Sequence, residues 1–221
     1  MLCRTDIINN LIEKNGFKTY LEIGLDNPFN NFVEINCLTK HSVDPFIVRD
    51  NSFDFIDCGK SKDDLEEEIK RALPYLTFRT TSDDFFEKTS LKYDIIFIDG
   101  LHTERQCGKD IINGLKHLNE GGYIIVHDCL PSQEVSQIIP RKVIEWNGDV
   151  WKCIPELNKQ FIGYDVVDCD FGCGVIKYTP DWKYLHYLDK SIYEWNDFEK
   201  NRDKLMHVIS EQEFLEKYIY N

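Results

Sequence analysis

The segment Tyr93-Asp-Ile-Ile-Phe-Ile-Asp99 constrains the fold more than any other. An apolar run of strand length and continuous type, with no period-two alternation, belongs to a strand buried on both faces. Such strands sit at the centre of parallel sheets covered by helices. The neighbouring sequence agrees, because short β-type runs alternate with amphipathic stretches of helical length along most of the chain. The expected fold is therefore α/β, a mainly parallel seven-stranded sheet with helices on both faces.

The first helix is expected over residues 5–15, ended by Gly16, and the first strand over Lys18–Ile23. Pro28–Leu38 reads as a helix with proline in its first turn, and His41–Asp44 as a short strand stopped by Pro45. Lys62–Leu73 reads as a charged helix capped by Ser61, Leu76–Thr80 as a strand, and Asp83–Lys88 as a helix capped by Ser82. Thr103–Leu118 is an amphipathic helix, and Tyr123–His127 a strand entered through Gly121-Gly122. Val135–Trp146, Val150–Phe161, Asp197–Val208 and Glu211–Tyr218 read as helices. Tyr164–Asp170 and Gly174–Tyr178 read as an antiparallel hairpin near the C-terminus. No repeat or low-complexity linker divides the 221 residues, so a single domain is expected, its part beyond about 132 on the acceptor side.

In open parallel sheets, ligands bind beyond the carboxyl ends of the strands. That edge collects Glu22-Ile-Gly24, Asp44, Ser82-Asp83, Asp99-Gly-Leu-His102 and His127-Asp128. A glycine after the first strand permits a tight turn and a close ligand approach. An acidic residue some twenty positions on, at the end of the second strand, suits ribose hydroxyls. Asp99 and Asp128, at adjacent strand ends, can converge on one hard cation through oxygen. His102, a turn beyond Asp99, reaches the same pocket.

These segments, with Thr81-Ser-Asp-Asp-Phe-Phe86, Val43-Asp-Pro45 and Tyr123-Ile-Ile-Val-His-Asp-Cys129, resemble the class I S-adenosylmethionine-dependent methyltransferases. The likeness is greatest to the branch of small-molecule and sugar O-methyltransferases. It covers most of residues 17–131, with weaker echoes in Gly148-Asp-Val-Trp-Lys152, Asp170-Phe-Gly-Cys-Gly174 and Asn201-Arg202. The resemblance implies a Rossmann-like fold. It also implies that Glu22 and Gly24 face the methionine part of S-adenosylmethionine, that Asp44 holds the ribose, and that Ser82 and Asp83 lie near the adenine. Asp99 would serve both the cofactor and a divalent metal, magnesium or similar, with Asp128 and His127 as further ligands and His102 as the catalytic base. The loop Leu25-Asp-Asn-Pro-Phe-Asn-Asn-Phe32 departs from the family pattern by lacking its second glycine.

The expected activity is methyl transfer to a hydroxyl of a small acceptor, a sugar or sugar nucleotide being one class. A nucleotide-binding oxidoreductase is the rival reading, disfavoured by the missing G-x-G-x-x-G pattern; a non-catalytic cofactor-binding module is another. The net charge of −13 repels phosphate backbones and anionic lipid, so neither nucleic acid nor membrane is an expected partner; a homo-oligomer is left open. With no apolar run near the roughly 20 residues of a membrane span and no export signal at Met1-Leu-Cys-Arg, the cytoplasm is the expected compartment. Eight scattered cysteines without a C-x-x-C read as thiols, and Cys169 and Cys173 as packing residues rather than zinc ligands. Trp146, Trp151, Trp182 and Trp195 are expected in the core or lining an acceptor pocket.

Overall fold

A computed structural model describes residues 1–45, 67, 70–159, 162–180 and 191–221. Seven strands form one sheet: β1 Thr19–Ile23, β2 Thr39–Val43, β3 Tyr93–Ile98, β4 Leu118–Val126, β5 Tyr164–Val167, β6 Cys173–Lys177 and β7 Val208–Ile209. Their order is β2-β1-β3-β4-β6-β5-β7. β2, β1, β3 and β4 are parallel neighbours, β6 runs antiparallel to both β4 and β5, and β7 pairs parallel with β5. The antiparallel hairpin therefore lies where it is expected, with a seventh strand added outside it.

β3 is central, as its composition demands. Its alternate residues feed opposite cores, Ile96 and Ile98 packing with Leu115, Trp151 and Ile154, and Ile95 and Phe97 with Ile7, Leu11 and Phe214. The first core is closed by α2 (Ser82–Lys88), α3 (Glu104–Lys116), α4 (Cys153–Lys159) and α5 (Trp195–Leu205). The second is closed by α1 (Arg4–Asn15) and the C-terminal α6 (Glu211–Phe214), which continues as a wider turn over Leu215–Tyr220.

Several elements differ from expectation for identifiable reasons. Residues 28–38 form two short 3₁₀ turns, Pro28–Asn30 and Phe32–Glu34, instead of one helix. The break is Asn31, whose side chain is drawn 2.8 Å from Glu22 Oε2 and whose backbone leaves the helical region. Leu76–Thr80 makes only an isolated bridge, Val43 to Phe78, because Ser42 and Thr77 side chains replace further ladder bonds. The cap of α2 is Thr81, which accepts from Asp84 N–H at 3.1 Å, not Ser82. Val135–Trp146 holds one 3₁₀ turn, Glu134–Gln137, and then runs irregularly through Pro140, which restricts the residue before it to extended backbone. The helix expected over 62–73 and the segment 47–60 lie largely outside the described residues. None of the described helices is long and apolar enough to cross a membrane.

Candidate functional site

The parallel register lines up Ile23, Val43, Ile98 and Val126 at one edge of the sheet. The ladder continues one residue further: Gly24 N–H reaches Val43 O at 2.9 Å, Asp99 N–H reaches Ile23 O at 2.9 Å, and His127 N–H reaches Ile98 O at 3.0 Å. Gly24, Asp44, Asp99 and His127 therefore form a row. Gly24 has φ +89°, and a Cβ there would lie 2.1 Å from Asp99 O, so the first loop folds directly onto the end of β3. Two residues on, Asp26 takes φ +35°, which glycine adopts without strain. Aspartate is among the few residues that tolerate left-handed backbone, so the missing second glycine is replaced by a workable substitute.

Asp44 stands half-buried past β2, its carboxylate accepting Leu25 N–H at 3.0 Å. A carboxylate accepts only, which is the chemistry that ribose hydroxyls can donate to. Glu22 is 2% exposed and turned into the second core, where Tyr20 Oη and Asn31 Nδ2 donate to it. Burial pushes its carboxyl up to about 8 against the lowering effect of those two bonds. Ser82 and Asp83 begin α2 and are tied to α3. Gln106 Nε2 donates to Ser82 Oγ at 3.2 Å and Asp83 Oδ1 at 3.1 Å, and Lys109 pairs with Asp83 at 2.7 Å, which holds its carboxyl below the ordinary range.

The second constellation converges more tightly. His102 lies between two carboxylates, Nε2 at 3.2 Å from Asp99 Oδ1 and Nδ1 at 3.2 Å from Asp128 Oδ2. It is free to do so because Thr103 caps α3, accepting from Gln106 N–H at 3.3 Å. The indole of Trp146 stacks on the His102 ring at 5.1 Å. His127 Nδ1 lies 3.3 Å from Asp128 Oδ1 and 3.5 Å from Asp99 Oδ1. Asp128 itself takes φ +63°, a conformation uncommon outside glycine and concentrated at functional sites.

Burial disfavours every charge here, but opposite charges outweigh it. It raises Asp99, yet His127 and His102 hold that carboxyl well below the ordinary range. It lowers the two imidazoles, yet Asp99 and Asp128 raise both above the usual histidine value.

Three members of the site come from segments that no strand-end argument selects. Arg4, on α1, reaches Asp99 Oδ2 with Nη1 at 2.9 Å and Asp170 Oδ2 with Nε at 2.9 Å. Asp170, in the β5–β6 turn, also lies 3.6 Å from His127 Nε2, and His127 and Arg4 hold its carboxyl low despite burial. Asn147 Nδ2 donates to Asp128 Oδ1 at 2.6 Å. For Asp170 a signal existed, the Asp170-Phe-Gly-Cys-Gly174 echo; Arg4 and Asn147 had none.

Asp99, His102 and Asp128 each offer a ligand atom within 4.8 Å of the others. Two carboxylates and an imidazole suit a hard or borderline divalent cation, so the donor set fits a metal ion. The structure places His102, not His127, in that trio; His127 is adjacent, deeper, and 4% exposed. The described cysteines are free thiols, including Cys169 and Cys173. Trp151 is fully buried in the core and Trp195 packs against it; Trp182 is outside the described residues.

Residues 76–129 match the family model described as a methyltransferase domain, a stretch spanning α2, β3, α3 and β4 with Asp99, His102 and Asp128. Solved structures match over most of the chain. A Staphylococcus aureus protein assigned provisionally as a caffeoyl-CoA O-methyltransferase is 17% identical, with TM-score 0.53 over 81% of this chain and 85% of its own. The chain has the class I methyltransferase fold. Two further proteins share this methyltransferase fold. An O-methyltransferase from Bacillus cereus, solved with S-adenosylhomocysteine, is 14% identical, with TM-score 0.50 over 81% of this chain and 83% of its own. The Podospora anserina methyltransferase PaMTH1, bound to S-adenosylhomocysteine, is 13% identical, with TM-score 0.50 over 81% and 80%. No curated protein sequence matches the chain significantly.

Proposed function

We propose that this methyltransferase fold transfers a methyl group from S-adenosylmethionine to a hydroxyl of a small acceptor, with a divalent cation held by Asp99 and Asp128. The observation that carries the reading is the convergence of those two carboxylates on His102, next to the row of Gly24, Asp44 and Asp99. In this reading Asp44 accepts from the ribose hydroxyls, Gly24 and Glu22 bound the methionine end, and Ser82 and Asp83 flank the adenine.

S-adenosylmethionine, when bound, supplies an electrophilic methyl on sulfonium; the acceptor oxygen forms the new O–C bond as the C–S bond breaks, leaving S-adenosylhomocysteine. A divalent cation, when bound, lowers the acceptor pKa and orients its oxygen. His102 takes the hydroxyl proton. Trp146 holds the ring in place by stacking, and the His102 side chain is 22% exposed against 4% for His127, so His102 is the imidazole a substrate can reach. A second reading of His102, as a third metal ligand, is favoured by the 4.8 Å grouping with Asp99 and Asp128.

The acceptor side is supported by a cleft of about 500 Å³ lined by Leu130, Asp170, Phe171, Trp195, Phe198 and Arg202. It lies beside the cluster, since Asp170 belongs to both. Aromatic faces with charged groups at the rim suit a sugar or sugar nucleotide, which we take as the finer expectation.

The test is methyl transfer by the purified chain against sugar nucleotides, free glycans, phenols and RNA, before and after chelation, with metal add-back. Turnover that disappears in chelator and returns with magnesium or manganese supports the reading; full activity in chelator removes the cation. His102→Ala should cost about 10²–10⁴-fold in rate as a lost general base. Its metal affinity separates the two roles: unchanged affinity fits a base, lowered affinity a ligand.

A further inference from the structure

We infer that Asn147 is a metal ligand, supplying its carboxamide oxygen to the cation that Asp99 and Asp128 hold; this rests on the cation reading above. Asn147 is 2% exposed. Its Nδ2 donates to Asp128 Oδ1 at 2.6 Å, while its Oδ1 is buried without a hydrogen-bond partner. A buried acceptor left unpaired is costly, and native proteins keep one chiefly where an ion or water completes it. The orphaned oxygen is the other end of the group already seated on Asp128.

The amide is held in place by its own segment. The N–H groups of Asn147 and Gly148 both donate to Ser136 O, at 3.0 and 3.1 Å. Trp146 O lies 3.2 Å from His102 Nδ1, and Asp149 Oδ1 accepts Glu104 N–H at 2.6 Å. Gly148, with φ +62°, lies so close to His102 that a Cβ would fall 1.8 Å from its carbonyl oxygen. Residues 146–149 are thus clasped around His102 and Asp128, and among their buried side-chain polar atoms the amide oxygen is without a hydrogen-bond partner, as is Ser136 Oγ on the residue whose carbonyl takes both N–H groups.

The chemistry fits. Hard cations take carboxylate oxygens together with neutral amide carbonyls. Asp99 and Asp128 supply the charge, and an asparagine adds a donor without a third negative group.

The experiment measures Mn²⁺ affinity of the full chain by calorimetry and electron paramagnetic resonance, with circular dichroism as the fold control. Asn147→Ala should weaken binding by about 10–100-fold, the range found for groups that support a metal site. Asn147→Asp should bind at least as tightly as wild type, because it keeps an oxygen donor. A residue that merely donates to Asp128 behaves oppositely: aspartate there would repel Asp128 and lose as much affinity as alanine, and that result overturns the inference. Unchanged affinity in Asn147→Ala also overturns it. On the wild-type chain, labelling with ¹³C-carboxamide asparagine should give a resolved hyperfine coupling to bound Mn²⁺, and its absence counts against a ligand even where a variant fails to fold. Wild type that binds no Mn²⁺ is a different failure, removing the cation reading and the ligand together.

Discussion

Arg4 Nη1 lies 2.9 Å from Asp99 Oδ2, joining the N-terminal helix to the end of the central strand. The same guanidinium holds Asp170 through Nε at 2.9 Å, and the Arg4 backbone N–H donates to Asp170 Oδ2 at 3.0 Å. One side chain thus fastens α1, β3 and the β5–β6 turn at the mouth of the site. Asp99 and Asp170 share the Arg4 guanidinium, while the His102 and His127 rings lie against Asp99 and Asp128. Because Arg4 takes Oδ2, Asp99 keeps Oδ1 for His102 and the space beside Asp128.

Removing that fastening should destabilise the chain. Arg4→Met keeps an unbranched stem but leaves two largely buried carboxylates without their shared cation. Breaking a buried pair costs about 3–5 kcal/mol and an exposed one about 0–1; these groups are roughly one-fifth exposed, so a loss of about 1–3 kcal/mol is expected. Arg4→Lys should recover only part, since an ammonium lacks the fork that spans both carboxylates. Urea unfolding checks this, and equal midpoints for all three proteins would show that Arg4 fastens nothing.

Glu22 gives a pH dependence with a definite sign. Its carboxyl titrates at about 8 in the folded chain against an ordinary value of 4.5. Between those values the unfolded chain releases the proton while the folded chain keeps it, so stability falls as pH rises through the window. The contribution is fully present below 4.5 and fully lost above about 8. Glu22→Gln preserves an oxygen that can accept from Tyr20 and Asn31 but cannot titrate. Its stability relative to wild type should therefore grow from pH 5 to pH 8, by on the order of a few kcal/mol in total. Unfolding curves of both proteins at pH 5, 6.5 and 8 measure it; parallel trends would mean that Glu22 ionises normally in the fold.

What could be read from the sequence was what a local pattern encodes. The continuous apolar run of β3, the glycine closing α1 and the threonine opening α3 each specify their element through nearby residues. Asp99, His102, His127 and Asp128 were legible as a group because strand ends in a parallel sheet share one edge. Side chains that bond across the fold were not legible. Asn31 breaks the expected 28–38 helix by reaching Glu22, and β7 pairs with a distant β5, Val208 with Val166 and Ile209 with Val167. Arg4 and Asn147 arrive at the site through tertiary packing, from a helix with no polar motif and a loop with no regular period.

Asp44 should control cofactor affinity. Its carboxylate stands just past the end of β2, anchored by Leu25 N–H at 3.0 Å. Asp44→Asn keeps the shape and removes the charge. A hydrogen bond to a charged group contributes about 1.5–3 kcal/mol, so S-adenosylhomocysteine should bind roughly 10–100-fold more weakly. Calorimetry decides it, and an unchanged dissociation constant would place the ribose elsewhere.

Gly148 and Gly16 offer a matched pair for testing whether the clasp around His102 matters to turnover. Both have left-handed backbone, φ +62° and +66°, so alanine at either strains the chain by about 1–2 kcal/mol. Their surroundings differ. A Cβ on Gly16, at the end of α1, meets nothing within 4 Å, whereas one on Gly148 falls 1.8 Å from His102 O and 2.6 Å from His102 Cβ. Both contacts are with His102, so relief requires moving either that residue or the 146–149 segment that positions Asn147. Gly16→Ala should lower the melting temperature modestly and leave methyl transfer unchanged. Gly148→Ala should lower it further and cut kcat at least tenfold, because a misplacement of about 1 Å can cost on the order of 10²-fold. S-adenosylhomocysteine affinity should hold in both, since Gly24 and Asp44 lie along the row from the displaced segment. Equal turnover in the two variants, measured at saturating acceptor, would show that the position of His102 does not limit the reaction.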